Sequence, residues 1–135
     1  LTIPSVASYY IQLEQLIYRE NPCDEDDSQG LGVFASYAPR FPSGPIPITA
    51  ISEYVVGGVV YRGLVPGRDA DVVGVGAAWA RLNQGGSMQE TAIELFYKAR
   101  ITPSMSIQPD IQYIDSPSGI YHDALAVGFR LQLAL

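Results

Sequence analysis

The chain has 135 residues, 47% of them apolar and only 16% charged, where an ordinary soluble domain carries about a quarter. Eight Lys plus Arg against 14 Asp plus Glu give a formal charge of −6. With no basic run in the chain, that balance argues against nucleic acid or an anionic membrane surface as the partner. The single cysteine, Cys23, excludes an internal disulfide framework and any multi-cysteine metal site.

The chain opens at Leu1 with neither an initiator Met nor a secretion signal, which reads as a processed or truncated piece of a longer protein. No apolar run approaches the roughly 18 residues of a membrane helix, yet a barrel strand hides its apolar residues by alternation. Such alternation recurs along the whole chain. Residues 6–19 set Ala7, Tyr9, Ile11 and Leu13 against Ser8, Tyr10, Gln12 and Glu14, and the pattern slips beyond Glu14, where a bulge is expected. Residues 30–38 set Leu31, Val33, Ala35 and Tyr37 against Gly32, Phe34 and Ser36. Residues 53–62 and 70–81 continue with Val55, Val59 and Tyr61, then Val73, Val75, Ala77 and Trp79.

The stretch from Glu90 has the cleanest period of two. Ile93, Leu95, Tyr97, Ala99 and Ile101 fall on one face, and Glu90, Glu94, Lys98 and Arg100 on the other. Residues 105–114 set Ile107, Pro109, Ile111 and Tyr113 against Gln108, Asp110 and Gln112, with a bulge or a missing ladder bond expected at Pro109. Residues 123–135 end the chain with an apolar side chain at every second position from Leu125 to Leu135. Turn chemistry separates these runs at Asn21–Ser28, Pro39–Pro47, Val65–Asp69, Asn83–Gly86, Thr102–Ser104 and Asp115–Gly119. Seven strands in 135 residues, about 19 per strand and connection, predict an antiparallel up-and-down meander.

Which face meets water decides the class. In a soluble barrel the apolar faces meet, whereas in an outer-membrane barrel they contact lipid and the polar faces line the lumen. Three features favour the inverted arrangement. The apolar face is clean while the other is mixed and sparsely charged. Tyr37, Tyr61, Trp79 and Tyr113 lie towards strand ends on the apolar face, like an interfacial girdle. The last strand carries no polar tail.

The run Val59-Val60-Tyr61-Arg62-Gly63-Leu64-Val65-Pro66-Gly67-Arg68-Asp69, continuing to Gly76, resembles the carbohydrate-selective porin family of the OprB type. So do Glu90–Pro103, Ile107–Ile114 with its Gln-Pro-Asp-Ile-Gln-Tyr core, and Asp123–Leu133, with Tyr9–Glu20 and Gly30–Phe34 fitting the strands before them. The resemblance spans the whole chain in order. It implies an all-β, antiparallel up-and-down transmembrane β-barrel of sixteen strands in the bacterial outer membrane, of which residues 1–135 form a single region, the C-terminal seven or so strands. It implies small carbohydrates such as glucose as substrates, lipid as the surrounding medium, no cofactor, and leaves self-association open. Two departures stand out: seven is an odd strand number, and the chain ends in Leu135 where such barrels usually end in an aromatic residue. With a periplasmic C-terminus, the turns at 20–29, 63–70 and 102–104 are periplasmic and the links at 39–52, 82–89 and 115–122 extracellular.

On this reading the lumen wall carries Glu94, Lys98 and Arg100 with Gln108, Asp110 and Gln112 across the Pro103 turn, and Arg62 and Arg130 on flanking strands. Sugar hydroxyls both donate and accept, which suits a mixed set, and an Arg fork spans two of them. The competing reading of the same residues is an ion-pair network that stiffens the barrel without touching a ligand.

Other features carry less. Asp24-Glu25-Asp26-Asp27 lacks the spacing of a calcium loop and reads as a solvated turn, with Cys23 incidental beside it. Val65–Asp69 reads as a tight turn with a surface ion pair. His122, with Asp123, Ser116 and Ser118, is the one set an enzyme would use, and neighbouring His and Asp on a strand point oppositely. The expected function is thus a passive sugar channel, with a soluble β-barrel binding module and a non-selective porin as the alternatives.

Overall fold

A computed structural model describes residues 5–43, 51–82 and 88–134. Its strands are β1 (Ser5–Ser8), β2 (Ile11–Arg19), β3 (Gly30–Ser43), β4 (Ile51–Arg62), β5 (Val72–Leu82), β6 (Met88–Thr102), β7 (Met105–Asp115) and β8 (Ala124–Leu133), with one 3₁₀ turn at Pro117–Gly119. From β3 onwards each strand pairs antiparallel with the next, while β1 and β2 both pair with β3. Eight strands therefore fill seven positions in one open meander, as the alternation predicts, and the first expected strand is broken at Tyr9–Tyr10.

Two irregularities fall where the sequence marks them, and the register also shifts at strand ends, between Ile51 and Glu53 on β4 and between Arg100 and Thr102 on β6. The β2–β3 register shifts between Leu16 and Tyr18, just past the slip in alternation. At Pro109 the β6–β7 pairs jump from Phe96↔Asp110 to Ala99↔Ile107 without a change of register, so the proline interrupts the ladder and makes no bulge. One expectation is corrected. The connection expected to begin at Pro39 is still strand, and β3 runs on to Ser43. Pairing with β4 stops at Pro39↔Glu53, and residues 40–43 pair only with β1. A proline is tolerated where a strand has one neighbour, because the missing donor then faces no acceptor. The rest of that connection and the one at 83–86 lie outside the described residues.

Among the described residues the strands build one layer with no second layer on it. Leu82 is the single buried aliphatic side chain among the described residues. Cross-strand partners share a face, so the register lines up Val33, Val59, Val75, Leu95, Ile111 and Val127 in one apolar row. That face is bare: Val127 is 80% exposed, Leu125 68% and Leu95 52%. On β7 the apolar-face residues Pro109, Ile111 and Tyr113 are exposed, while Gln108, Asp110, Gln112 and Ile114 are half-buried. The same contrast separates Ile93 and Leu95 from Ala92, Glu94, Phe96 and Lys98 on β6. In a single-layer sheet such a contrast reports curvature, since side chains crowd on the concave side and splay on the convex one. The apolar face is the convex one.

Local packing supports that curvature. On the concave face the Phe96 ring lies over Gly74, and the Phe34 ring over Gly58 and Gly76. A Cβ at Gly58 would sit 2.7 Å from Phe34 Cζ, and one at Gly74 would sit 2.5 Å from Phe96 Cε1. Glycine here is required by the ring that covers it. On the convex face Tyr37 and Trp79 share a row with Val55 between them. Tyr37 Oη donates to Glu53 Oε1 at 2.8 Å and Trp79 Nε1 to Gln89 Oε1 at 3.2 Å. Arg81 pairs with Glu53 at 3.2 Å and lies 5.3 Å from the Trp79 ring centroid. An apolar band ending in hydrogen-bonded aromatics suits a lipid–water boundary.

Gly74→Ala drives a methyl into the Phe96 ring and should lower stability by about 1–3 kcal/mol, read as the urea midpoint of the folded protein in detergent. Adding Phe96→Leu should restore most of the loss. An unchanged midpoint for Gly74→Ala alone would show that the ring is free to move away.

Candidate functional site

Strand periodicity alone puts every expected wall residue on the concave face. Arg62 closes β4; β6 supplies Glu94, Lys98 and Arg100; β7 supplies Gln108, Asp110 and Gln112; β8 supplies Arg130. The register sorts them into two groups. Glu94 faces Gln112 directly, and Asp110 lies between Phe96 and Gly128. Gln112 Nε2 donates to Asp110 Oδ1 at 3.4 Å, and the Asp110 carboxylate occupies the space a Cβ of Gly128 would fill. This group is acidic and amide-lined.

The second group is cationic. Arg62 pairs with Val72, Val72 with Lys98, and Gln108 with Arg130, while Arg100 faces Ser106 and Ser106 faces Gln132. Arg62, Lys98 and Arg100 line one cavity of about 210 Å³ with Ser106 and Gln132. Lys98 Nζ donates to Gln132 Oε1 at 3.0 Å, Arg62 Nη1 to Ser28 Oγ at 3.3 Å, and Arg100 Nη2 to the Pro103 carbonyl at 3.5 Å. None of these partners is charged. The two polar faces are neighbours across the Pro103 turn as expected, and within them Arg100 and Asp110 fall in different groups.

The ion-pair network offered as the competing reading is not formed among these residues. The salt bridges among the described residues are Arg68–Asp71 and Arg81–Glu53, and neither lies on the concave face. Gln132 and Ser106 join the site without having been singled out. Both sit at the even-numbered positions that place a residue on this face, so the period of two was the signal that marked them.

A buried hub holds the cationic end in place. In the turn between β4 and β5, Arg68 N–H donates to the Val65 carbonyl at 2.9 Å, with Gly67 at φ 77°. The tight turn expected there is present, and its ion pair runs from the exposed Arg68 to Asp71, which is buried at 3% exposed. Asp71 accepts from Arg68 Nε at 2.6 Å, from Tyr97 Oη at 2.5 Å and from the backbone N–H of Arg100 at 2.8 Å. One carboxylate thus ties the turn to β6 beside Lys98 and Arg100. Burial acts to raise the Asp71 pKa, but the hydrogen bonds from Tyr97, Arg100 and Arg68 and the Arg68 charge outweigh it and hold it below the ordinary carboxylate value. No local pattern in the sequence marks this hub, because Tyr97 and Arg100 meet Asp71 only through the β5–β6 register.

The His122 loop holds no catalytic set. Asp123 accepts from Tyr113 Oη at 2.6 Å and from Ser116 N–H at 3.3 Å, so its carboxylate is engaged away from His122. No group of His, Cys, Asp and Glu suited to a metal ion occurs among the described residues, and Cys23 is exposed.

Residues 5–135 match the family described as "Carbohydrate-selective porin, OprB family". Porin B of Pseudomonas aeruginosa is 24% identical over an alignment that covers 79% of this chain and 28% of that protein. The high-pH structure of Pseudomonas putida OprB superposes with a TM-score of 0.77 at 22% identity, over 93% of this chain and 34% of that one. The low-pH structure gives 0.75 at 26% identity, over 96% and 36%. The chain spans about a third of the length of these relatives, and it shares their fold.

Because the Asp71 pKa is lowered on folding, the stability it contributes is fully present above the unfolded carboxylate value of about 4 and is lost as pH falls through the lower folded value. Asp71→Asn should therefore lower the unfolding midpoint at pH 7 and flatten its acid dependence between about pH 5 and pH 2. A variant with wild-type acid dependence would show that the hub contributes nothing to folding.

Proposed function

The chain belongs to the carbohydrate-selective porins of the OprB family, outer-membrane proteins that act as channels and not as enzymes, and from that premise we propose that it is the C-terminal part of a barrel admitting small sugars such as glucose down their gradient. The observation that carries the reading is the inversion of faces. Apolar side chains occupy the convex, exposed side, and the mixed polar set occupies the concave side. A soluble binding barrel needs the reverse.

The open sheet supports the larger barrel. β8 has one neighbour and β2 has one neighbour, and unpaired strand edges are not stable in lipid. Further strands, sixteen in all on the family reading, would close it, with outer-membrane lipid against the convex face. Self-association of complete barrels is compatible with this arrangement. Glu94, Asp110 and Gln112 would accept from and donate to sugar hydroxyls, while Arg62, Lys98, Arg100, Gln108 and Arg130 supply donors along the same wall. Passage needs only weak, exchangeable contacts, so no cofactor enters the mechanism.

In planar bilayers the full-length protein should form a conductance that glucose and a maltooligosaccharide block saturably. Replacing Arg100 and Asp110 together should shift sugar block more than open-channel conductance. A stable conductance untouched by either sugar would reduce the protein to a general porin, and equal changes in both quantities would make the wall structural.

A further inference from the structure

Two phenylalanines depart from the sorting of apolar side chains to the convex face. Phe34 on β3 and Phe96 on β6 stand on the concave face among polar neighbours, Glu14 pairing with Phe34 and Asp110 with Phe96. Both rings lean onto β5. Phe34 reaches across Gly58 to Gly76, where a Cβ would sit 3.3 Å from its Cζ, and Phe96 covers Gly74. Gly74 and Gly76 are successive concave positions on one strand, about 7 Å apart. The two rings thus form one aromatic floor, laid from opposite sides over a strand that has no side chain at either position. Neither ring is buried, so part of each stays open to the lumen.

Polar groups rim this floor on both sides. Gly76 pairs with Glu94 and Glu94 with Gln112, so Glu94, Asp110 and Gln112 flank it on β6 and β7, while Glu14 flanks it on β2. Gln12 Nε2 donates to Glu14 Oε1 at 2.7 Å and Gln112 Nε2 to Asp110 Oδ1 at 3.4 Å, and a carboxylate has room to accept more. Among the described residues no ion pair takes any of these three carboxylates. The cations of the face lie apart from the floor. Arg19, Arg62, Lys98, Arg100 and Arg130 are all displaced towards the turns at 20–29, 63–70 and 102–104, and Lys98 is turned to Gln132. Glu90 stands at the opposite end, where it accepts from the Ser118 N–H at 2.6 Å.

We propose that Phe34 and Phe96 are a stacking platform for the ring of a sugar, and that the channel selects cyclic sugars over open-chain polyols. The inference rests on the sugar-channel reading above and names the substrate shape within it. A pyranose with equatorial hydroxyls has a polar edge and two faces of C–H bonds. Such a face covers an aromatic ring, its hydrogens meet the negative side of the π-system, and water leaves both surfaces. The edge hydroxyls then donate to Glu14, Glu94 or Asp110, and the Gln112 amide both donates and accepts. An open-chain polyol offers the same hydroxyls without the flat face. A wall that recognised hydroxyls alone would treat the two alike, and so would rings that only fill the space over the glycines.

The test is current block of the full-length channel by glucose and by glucitol, which has the same carbon chain without the ring. Glucose should reach half-block at a concentration about threefold or more below that of glucitol. The ratio should fall towards one in the Phe34→Leu/Phe96→Leu double variant, whose side chains still cover the glycines, and persist in Phe34→Tyr/Phe96→Tyr, which keeps the rings. Open-channel conductance should change little in either. Where the double leucine variant forms no channel, Phe34→Leu and Phe96→Leu singly carry the same comparison, each with a partial fall. Equal block by glucose and glucitol in the wild type overturns the platform and leaves the sugar channel standing. A glucose preference that survives the loss of both rings overturns the platform as well. Block by neither compound removes platform and sugar channel together.

Discussion

Backbone amides and carbonyls have no solvent partner inside a bilayer, so each strand facing lipid must find its hydrogen bonds in the next strand. This requirement organises the sheet from Gly30 to Leu133. From β3 to β8 every strand is laddered to both sequence neighbours or, at β8, to one. The departures at prolines fall in places that tolerate them. The prolines of β3 beyond Ala38 lie where the strand is losing its β4 partner, and the Pro109 gap is two pairs long in a ladder that resumes in the same register. The same requirement makes the two outer edges, β1 with β2 and β8, the places where more strand must attach.

The second constraint is steric. A sheet that keeps apolar side chains outside must hold its polar residues on the crowded, concave side. Glycines at 58, 74 and 76 let Phe34 and Phe96 lie flat against that wall, and Gly128 makes room for the Asp110 carboxylate. Small residues on the concave face therefore have a geometric role there, quite apart from admitting substrate. Asp71 adds a fixed point. It joins the β4–β5 turn to the backbone of Arg100, so the end of β6 that carries the cations is held by a buried group outside the strand itself.

Most of the fold was legible because a barrel strand announces itself by a period of two. Residues 90–101 and 105–114 gave β6 and β7 almost to the residue, and the slip after Glu14 foretold the β2 bulge. The end of β3 was missed because Pro39 and Pro42 look like turn chemistry in isolation, and only the loss of one neighbour makes them acceptable in a strand. At the site, the alternation identified the face of every candidate residue but not its neighbours. Register decides those: it separates Arg100 from Asp110 and brings Gln132 to Lys98. Asp71 as a hub was invisible for the same reason, since its partners Tyr97 and Arg100 lie 26 and 29 residues further along the chain.

The orientation of the two faces is the claim on which channel and wall both depend. It is tested most directly by single cysteines at Ala126 and Val127, neighbours on β8 that point to opposite faces, in the full-length protein with Cys23 replaced by Ser and reconstituted in liposomes. If the convex face meets lipid, a water-soluble maleimide labels Ala126→Cys readily and Val127→Cys hardly at all. Ready labelling of Val127→Cys with protection of Ala126→Cys would mean that the sheet is curved the other way, with its apolar side enclosed.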